Sequence, residues 1–484
     1  MDRTLMTADW VVGHENGRHL LLPRGEVVYE GGEIVFVGHD FPGEVARRID
    51  CGAALIGPGF IDLDALSDLD TTILGLDNQP AWKKGRVWPE SYMQAGPREM
   101  YAPEDLVWQK RYAFTRLIAN GITTALPIAS LFYREWGETR EEFAGAAAAA
   151  EELGLRVYLG PAYRSGNTYV KGAGEIGFHF DEARGLSGLE EALRFCRDFE
   201  GQGGGLIRTM LAPDRIETCT ETLLARTAEA VRELEVPVRL HCCQSAFEYQ
   251  SVLRMRGRSP AEWLRDIGFL SPRAILPHLT YLAGRNGMTH EAPDLEIIAE
   301  SGAALAHCPL VMARGGTAMD NFAAYRDAGL TIGMGTDTHP PDMILNMQIG
   351  LITARLARRA AGAVKKSNQS KRQRINRSTS RRERHERSCR RPAHAGDAGG
   401  SPQHRGAGDD PVRSVFPAVP TGRADPAGCD DRGDRADAAP PFGRQAPERA
   451  GADVPRSGQG DGAAGRETGA GPVSRFPDLR SARG

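Results

Sequence analysis

The chain has 484 residues, enough for one large domain with a smaller one or for two or three ordinary domains. Its formal net charge of −3 gives no global reason to expect nucleic acid or an acidic substrate. Eight scattered cysteines without a C-x-x-C pair, no leader at Met1-Asp2-Arg3-Thr4 and no apolar run near the roughly 18 residues of a membrane span make a soluble cytoplasmic protein with reduced thiols the expectation.

Residues 1–57 read as short strands joined by turns. Trp10-Val11-Val12 precedes the turn His14-Glu15-Asn16-Gly17, and Gly25–Tyr29 and Ile34–Gly38 flank Glu30-Gly31-Gly32 at hairpin spacing. A small β-sandwich is expected there. Over residues 58–364 the pattern changes to apolar strands alternating with amphipathic helices. Strands are expected at Phe60–Leu63, Thr123–Pro127, Arg156–Gly160, Leu206–Leu211, Val238–His241, Ala274–Pro277, Ala303–His307 and Thr331–Gly335. Helices are expected at Pro103–Asn120, Glu138–Leu153, Gly188–Glu200, Glu221–Glu235, Pro260–Ile267, Ala292–Ser301 and Met319–Ala328. This alternation predicts an α/β fold, a parallel (β/α)₈ TIM-like barrel whose functional groups sit at the C-terminal strand ends.

From residue 365 to 484 the patterning stops. Ser367 onward has no Trp, Tyr or Met and a single leucine, Leu479, while Arg, Gly, Ala and Pro dominate. Such a segment cannot bury enough apolar surface to offset its ordering entropy, so a disordered tail is expected. Its abrupt onset also fits translation out of frame from a GC-rich gene. The basic run from Lys365 to Arg391 has no interleaved aromatics and reads as a solvated face rather than a nucleic-acid site.

The strand ends carry the chemistry. Asp62 and Asp64 lie two apart and so share one face of a strand, His241 and His278 end the fifth and sixth strands, and Asp337 follows the eighth. Imidazoles and carboxylates meeting at one barrel mouth are what a zinc or iron site uses. Asp68 and Asp70 read as loop carboxylates, and Cys242 and Cys243 as small buried hydrophobes. Trp82, Trp88 and Tyr92 either form a stacking wall for a flat ligand or pack down the loop after the first strand. His307 either lines the pocket or makes a structural hydrogen bond, and His339 stands where it reaches the rim.

Several stretches together resemble the amidohydrolase superfamily, in its cytosine deaminase and chlorohydrolase-like branch. They are Pro58-Gly59-Phe60-Ile61-Asp62-Leu63, Leu117–Thr124, Ala212-Pro213-Asp214 with Thr218–Leu224, Ala306-His307-Cys308-Pro309 and Gly333–Thr338. The resemblance implies hydrolysis of a C–N bond in a small heterocyclic or amidine-like substrate. It makes His241 the strand-five metal ligand, His278 the histidine facing the attacking water or the substrate, and Asp337 the group that binds metal and takes the proton. Asp64 would complete a site for one divalent ion, zinc or iron, with Gln244 near the chemistry and Trp88, Asp214 and His307 on the substrate.

Three departures from the family pattern stand out. Asp64 and Leu66 occupy the positions of the first-strand His-X-His, and leucine ligates nothing. Gln244 stands where the branch often has a glutamate, and an amide orients but does not shuttle protons. Asp214 stands where relatives often have histidine. The alternative reading is therefore a metal-poor pseudoenzyme or ligand-binding barrel. Relatives return after the barrel to complete the small β domain, and no such strands are expected after Lys365. Exposed edges in that domain favour a homo-oligomer.

Overall fold

The computed structural model describes residues 2–69, 88–128, 131, 134–171 and 175–360. Short strands come first: β1 (Arg3–Thr7), β2 (Trp10–Glu15), β3 (Arg18–Pro23), β4 (Glu26–Glu30), β5 (Glu33–Gly38), β6 (Arg47–Asp50) and β7 (Leu55–Ile56). They form two sheets, ordered β5-β4-β1-β6 and β3-β2-β7. Asn16 and Gly17 join β2 to β3 with φ of 51° and 75°, the paired left-handed conformation that a tight hairpin needs. Leu5, Val11 and Val28 are buried between them, whereas Leu21, Ile34 and Val35 are exposed.

The main body is built from β8 (Phe60–Ala65), β9 (Ile122–Pro127) and β10 (Arg156–Leu159), followed by β11 (Ala162–Tyr163), β12 (Gly166–Val170) and β13 (Ile176–Phe180). Then come β14 (Ile207–Thr209), β15 (Ala212–Pro213), β16 (Val238–Arg239), β17 (Ala274–Pro277), β18 (Ala304–His307) and β19 (Thr331–Met334). The parallel runs β14-β10-β9-β8 and β16-β17-β18-β19 are the two halves of a (β/α)₈ barrel. A bridge between Leu211 and Val238 joins them on one side. On the other, the Asp337 amide donates to the Asp64 carbonyl at 2.8 Å. Gly335 makes that closure possible, since a Cβ there would lie 2.5 Å from the Asp64 Cβ.

Each expected barrel strand has its counterpart, because buried parallel strands are short apolar runs bounded by turns. The largest difference in helix extent is at Glu182–Phe199, which starts ahead of the expected Gly188 because the Asp181 side chain accepts from the Arg184 amide and caps it earlier; the helix expected at Met319–Ala328 is shorter, Phe322–Asp327. The helix Ala246–Arg256 and the β12–β13 hairpin were not expected from the sequence. Helix 343–360 follows the eighth strand. Asp70, Trp82 and the expected tail over 365–484 lie outside the described residues. Among the described residues no helix is long and apolar enough to cross a membrane.

Candidate metal centre

The end of β8 delivers two fully buried carboxylates to the barrel mouth, but only one faces it. Asp62 accepts from the Thr336 amide at 3.0 Å, the Thr336 hydroxyl at 2.6 Å and the Asp64 amide at 3.2 Å. It ties the first strand to the eighth. Burial pushes its carboxyl up to about 6, against the pull of the Thr336 bonds. Asp64 faces the cleft, with Oδ2 3.6 Å from His241 Nε2 and Oδ1 3.4 Å from Arg239 Nε. Burial raises the Asp64 carboxyl, yet His241 and Arg239 outweigh it and hold the group below its ordinary value.

His241 follows β16, and its Nδ1 lies 2.9 Å from the Asp214 carbonyl. A carbonyl only accepts, so Nδ1 carries a proton and Nε2 is the nitrogen left facing Asp64. His278 ends β17 with φ of 77°, and its ring stacks on His241 at 5.5 Å. Asp337 has φ of 52°, and its Oδ2 is 3.6 Å from His278 Nε2. Left-handed backbone costs a residue with a side chain about 1–3 kcal/mol, and here it occurs at two strand ends aimed into one cleft. Burial, then His241, holds His278 well below the usual histidine value, so its imidazole is neutral.

One ligand atom from each of Asp64, His241, His278 and Asp337 lies within 4.8 Å of the others. Both ring nitrogens of His278 are buried and have no hydrogen-bond partner. A ring nitrogen left with its lone pair unmet at this depth is costly unless a cation or water satisfies it. Two carboxylates and two imidazoles are a donor set that fits a divalent metal ion.

A profile of the amidohydrolase family matches residues 58–371. The chain belongs to the amidohydrolase family. The 5-methylthioadenosine/S-adenosylhomocysteine deaminase of Natronomonas pharaonis is 26% identical over 341 residues, covering 69% of this chain and 70% of that protein. Among solved structures, the guanine deaminase of C. acetobutylicum with bound guanine aligns with a TM-score of 0.55 at 13% identity, over 76% of this chain and 81% of that one. The atrazine chlorohydrolase of Arthrobacter aurescens TC1 complexed with zinc aligns with a TM-score of 0.52 at 19% identity, over 69% of this chain and 73% of that one. These neighbours share the fold.

Leu66 is buried in an apolar cluster with Phe114, Leu117 and Met343, so the second position at which the resemblance leads one to expect a first-strand histidine is core in this chain. Gln244 Oε1 accepts from Arg215 Nη1. A guanidinium only donates, so the oxygen is taken and Nε2 is left as a donor. Asp214 is buried, with Oδ2 3.8 Å from Arg164 Nη1. His307 ends β18 with its ring 5.3 Å from Phe322, and burial lowers it to about 4. Trp88 stacks on Tyr92 at 4.2 Å, and its carbonyl accepts from the Val170 amide on β12. Cys242 and Cys243 are buried, and burial carries the Cys243 thiol well above its ordinary value.

The sequence reading missed two groups around the centre. Glu248 is fully buried and accepts from the amides of Cys243 and Gln244, fixing the turn that follows His241. Burial and nearby Glu217 push its carboxyl well up. Arg239 touches Asp64 directly. Its signal was a lone cation inside the apolar run Val236–Leu240.

Proposed function

We propose that this amidohydrolase is a metal-dependent hydrolase that breaks a carbon–nitrogen bond of a small heterocyclic substrate, releasing ammonia from an aminopurine-type ring. The convergence of Asp64, His241, His278 and Asp337 carries this reading. The name of the deaminase relative supports the substrate class. Asp64, His241, His278 and Asp337 would hold one divalent ion, zinc or iron. Such an ion acts as a Lewis acid and lowers the pKa of water toward ~7.

The rest falls to the protein's own groups. Asp337 takes a proton from the attacking water at a carboxylate oxygen, a C–O bond forms at the ring carbon, and the C–N bond breaks as that proton passes to the departing amine. Neutral His278 beside Asp337 orients the water. Gln244 offers Nε2–H to the ring, and Trp88, Asp214 and His307 line the substrate side. The same convergence favours hydrolysis over a binding barrel without chemistry.

Purified protein is expected to carry about one equivalent of divalent metal by elemental analysis, and chelation should abolish turnover of an adenosine-type nucleoside until metal is returned. A metal content below about a tenth of an equivalent after reconstitution overturns the reading. A second expectation concerns Gln244. Because it orients rather than shuttles, Gln244→Ala should raise KM about tenfold and change kcat less than about threefold in steady-state assays. A collapse of kcat at unchanged KM would contradict that role.

A further inference from the structure

Arg239 is 2% exposed, and a guanidinium so deeply buried is costly unless paired. Its partners therefore say what it does. Nη1 donates to the carbonyls of Leu126 at 3.0 Å and Pro127 at 2.8 Å, at the end of β9. The charge is thus pinned by the backbone of the second barrel strand and does not depend on Asp64 for its place. Nε then lies 3.4 Å from Asp64 Oδ1. The other oxygen, Oδ2, looks the opposite way, toward His241 Nε2 and the Cys308 thiol, each 3.6 Å away. One oxygen of Asp64 faces a fixed cation and the other faces the metal centre.

We propose that Arg239 is a built-in counter-cation that makes an aspartate workable where the family pattern has a first-strand histidine. This rests on the metal-dependent reading above. An ion held by two carboxylates would have its charge cancelled, and with it much of its pull on water and substrate. The guanidinium restores one positive charge, the same net charge as a neutral imidazole at position 64 with nothing beneath it. Without metal, Arg239 is the fixed cation beside the buried Asp64 carboxylate. It opposes entry of a second cation for the same reason, so it moderates metal affinity. Arg239 is a positioning residue: it acts through Asp64.

The test is Zn²⁺ affinity, measured by competition with a chromophoric chelator, on the wild type, Arg239→Met and Arg239→Lys, with folding checked by circular dichroism. Arg239→Met should bind Zn²⁺ at least about tenfold more tightly than wild type, and Arg239→Lys, which keeps the charge, within about threefold of it. A folded Arg239→Met with equal or weaker affinity overturns the proposal, as does an equal shift in both variants. Should Arg239→Met not fold, Asp64→Asn and Asp64→Asn/Arg239→Met carry the same comparison without a buried unpaired carboxylate. The double variant should bind about tenfold more tightly than the single one, and equal affinities overturn the proposal. Failure of the wild type to bind Zn²⁺ would remove the metal-dependent reading itself, a result distinct from binding that ignores Arg239.

Discussion

Asp337→Asn should lower kcat/KM for ammonia release by about a thousandfold while leaving the fold intact, because proton transfer by a positioned group contributes about 10²–10⁴ in rate. The substitution is nearly isosteric. The backbone link that closes the barrel, from the Asp337 amide to the Asp64 carbonyl, does not involve the side chain and should survive. What is lost is the negative oxygen 3.6 Å from His278 Nε2, one of the four convergent ligand atoms. Gln244 cannot substitute, since its oxygen is taken by Arg215 and an amide nitrogen donates hydrogen bonds but neither takes up nor gives up a proton near neutral pH. The variant should keep its far-ultraviolet spectrum and show the same low kcat/KM when metal is supplied in excess. Activity within about tenfold of wild type under those conditions would place the proton acceptor elsewhere.

The fold was legible in the sequence to the degree that burial writes itself locally. The eight barrel strands are apolar runs ending in turns, and their order alone specifies a parallel barrel. The small N-terminal sheets follow equally from Asn16-Gly17 and Gly31-Gly32 between apolar runs. Helix Ala246–Arg256 was not legible because Glu248, Ser251, Arg254 and Arg256 interrupt any apolar stripe; the Ser245 cap, accepting from the Glu248 amide, sets its start. At the metal centre the ligand-type residues could be found because strand ends project into the mouth. The division of labour between Asp62 and Asp64 could not. Both sit on one face of β8, and only the Thr336 bonds, from the other end of the barrel sequence, engage Asp62. The pairing of Arg239 with Asp64 was invisible for the same reason: neither residue carries a local sign of the other.

A second long-range network sits beside the mouth, and Lys110→Met should reveal its strength as a loss of about 3–5 kcal/mol in chemical denaturation. Lys110 is 3% exposed on the helix Pro103–Ala119. Its ammonium lies 2.7 Å from Glu138 Oε1, 3.4 Å from Glu142 Oε1 and 3.5 Å from the Ser67 hydroxyl just past β8. Glu138 also accepts from the Ala162 amide at 2.9 Å, beyond the third barrel strand, and Glu142 binds Arg134 at 2.9 Å. One cation thereby holds together the exits of the first three barrel strands. Removing it leaves two buried carboxylates with Arg134 alone, and the large cost comes from that uncompensated charge rather than from the net worth of the pair. The pH dependence follows from Glu138, whose carboxyl burial already raises above its ordinary value despite Lys110. Without Lys110 it rises further, and a carboxyl raised by folding loses stability as pH climbs through its folded value. The deficit of Lys110→Met should therefore be smaller at mildly acidic pH than at neutral pH. A deficit independent of pH would mean that lost packing, not buried charge, sets the cost.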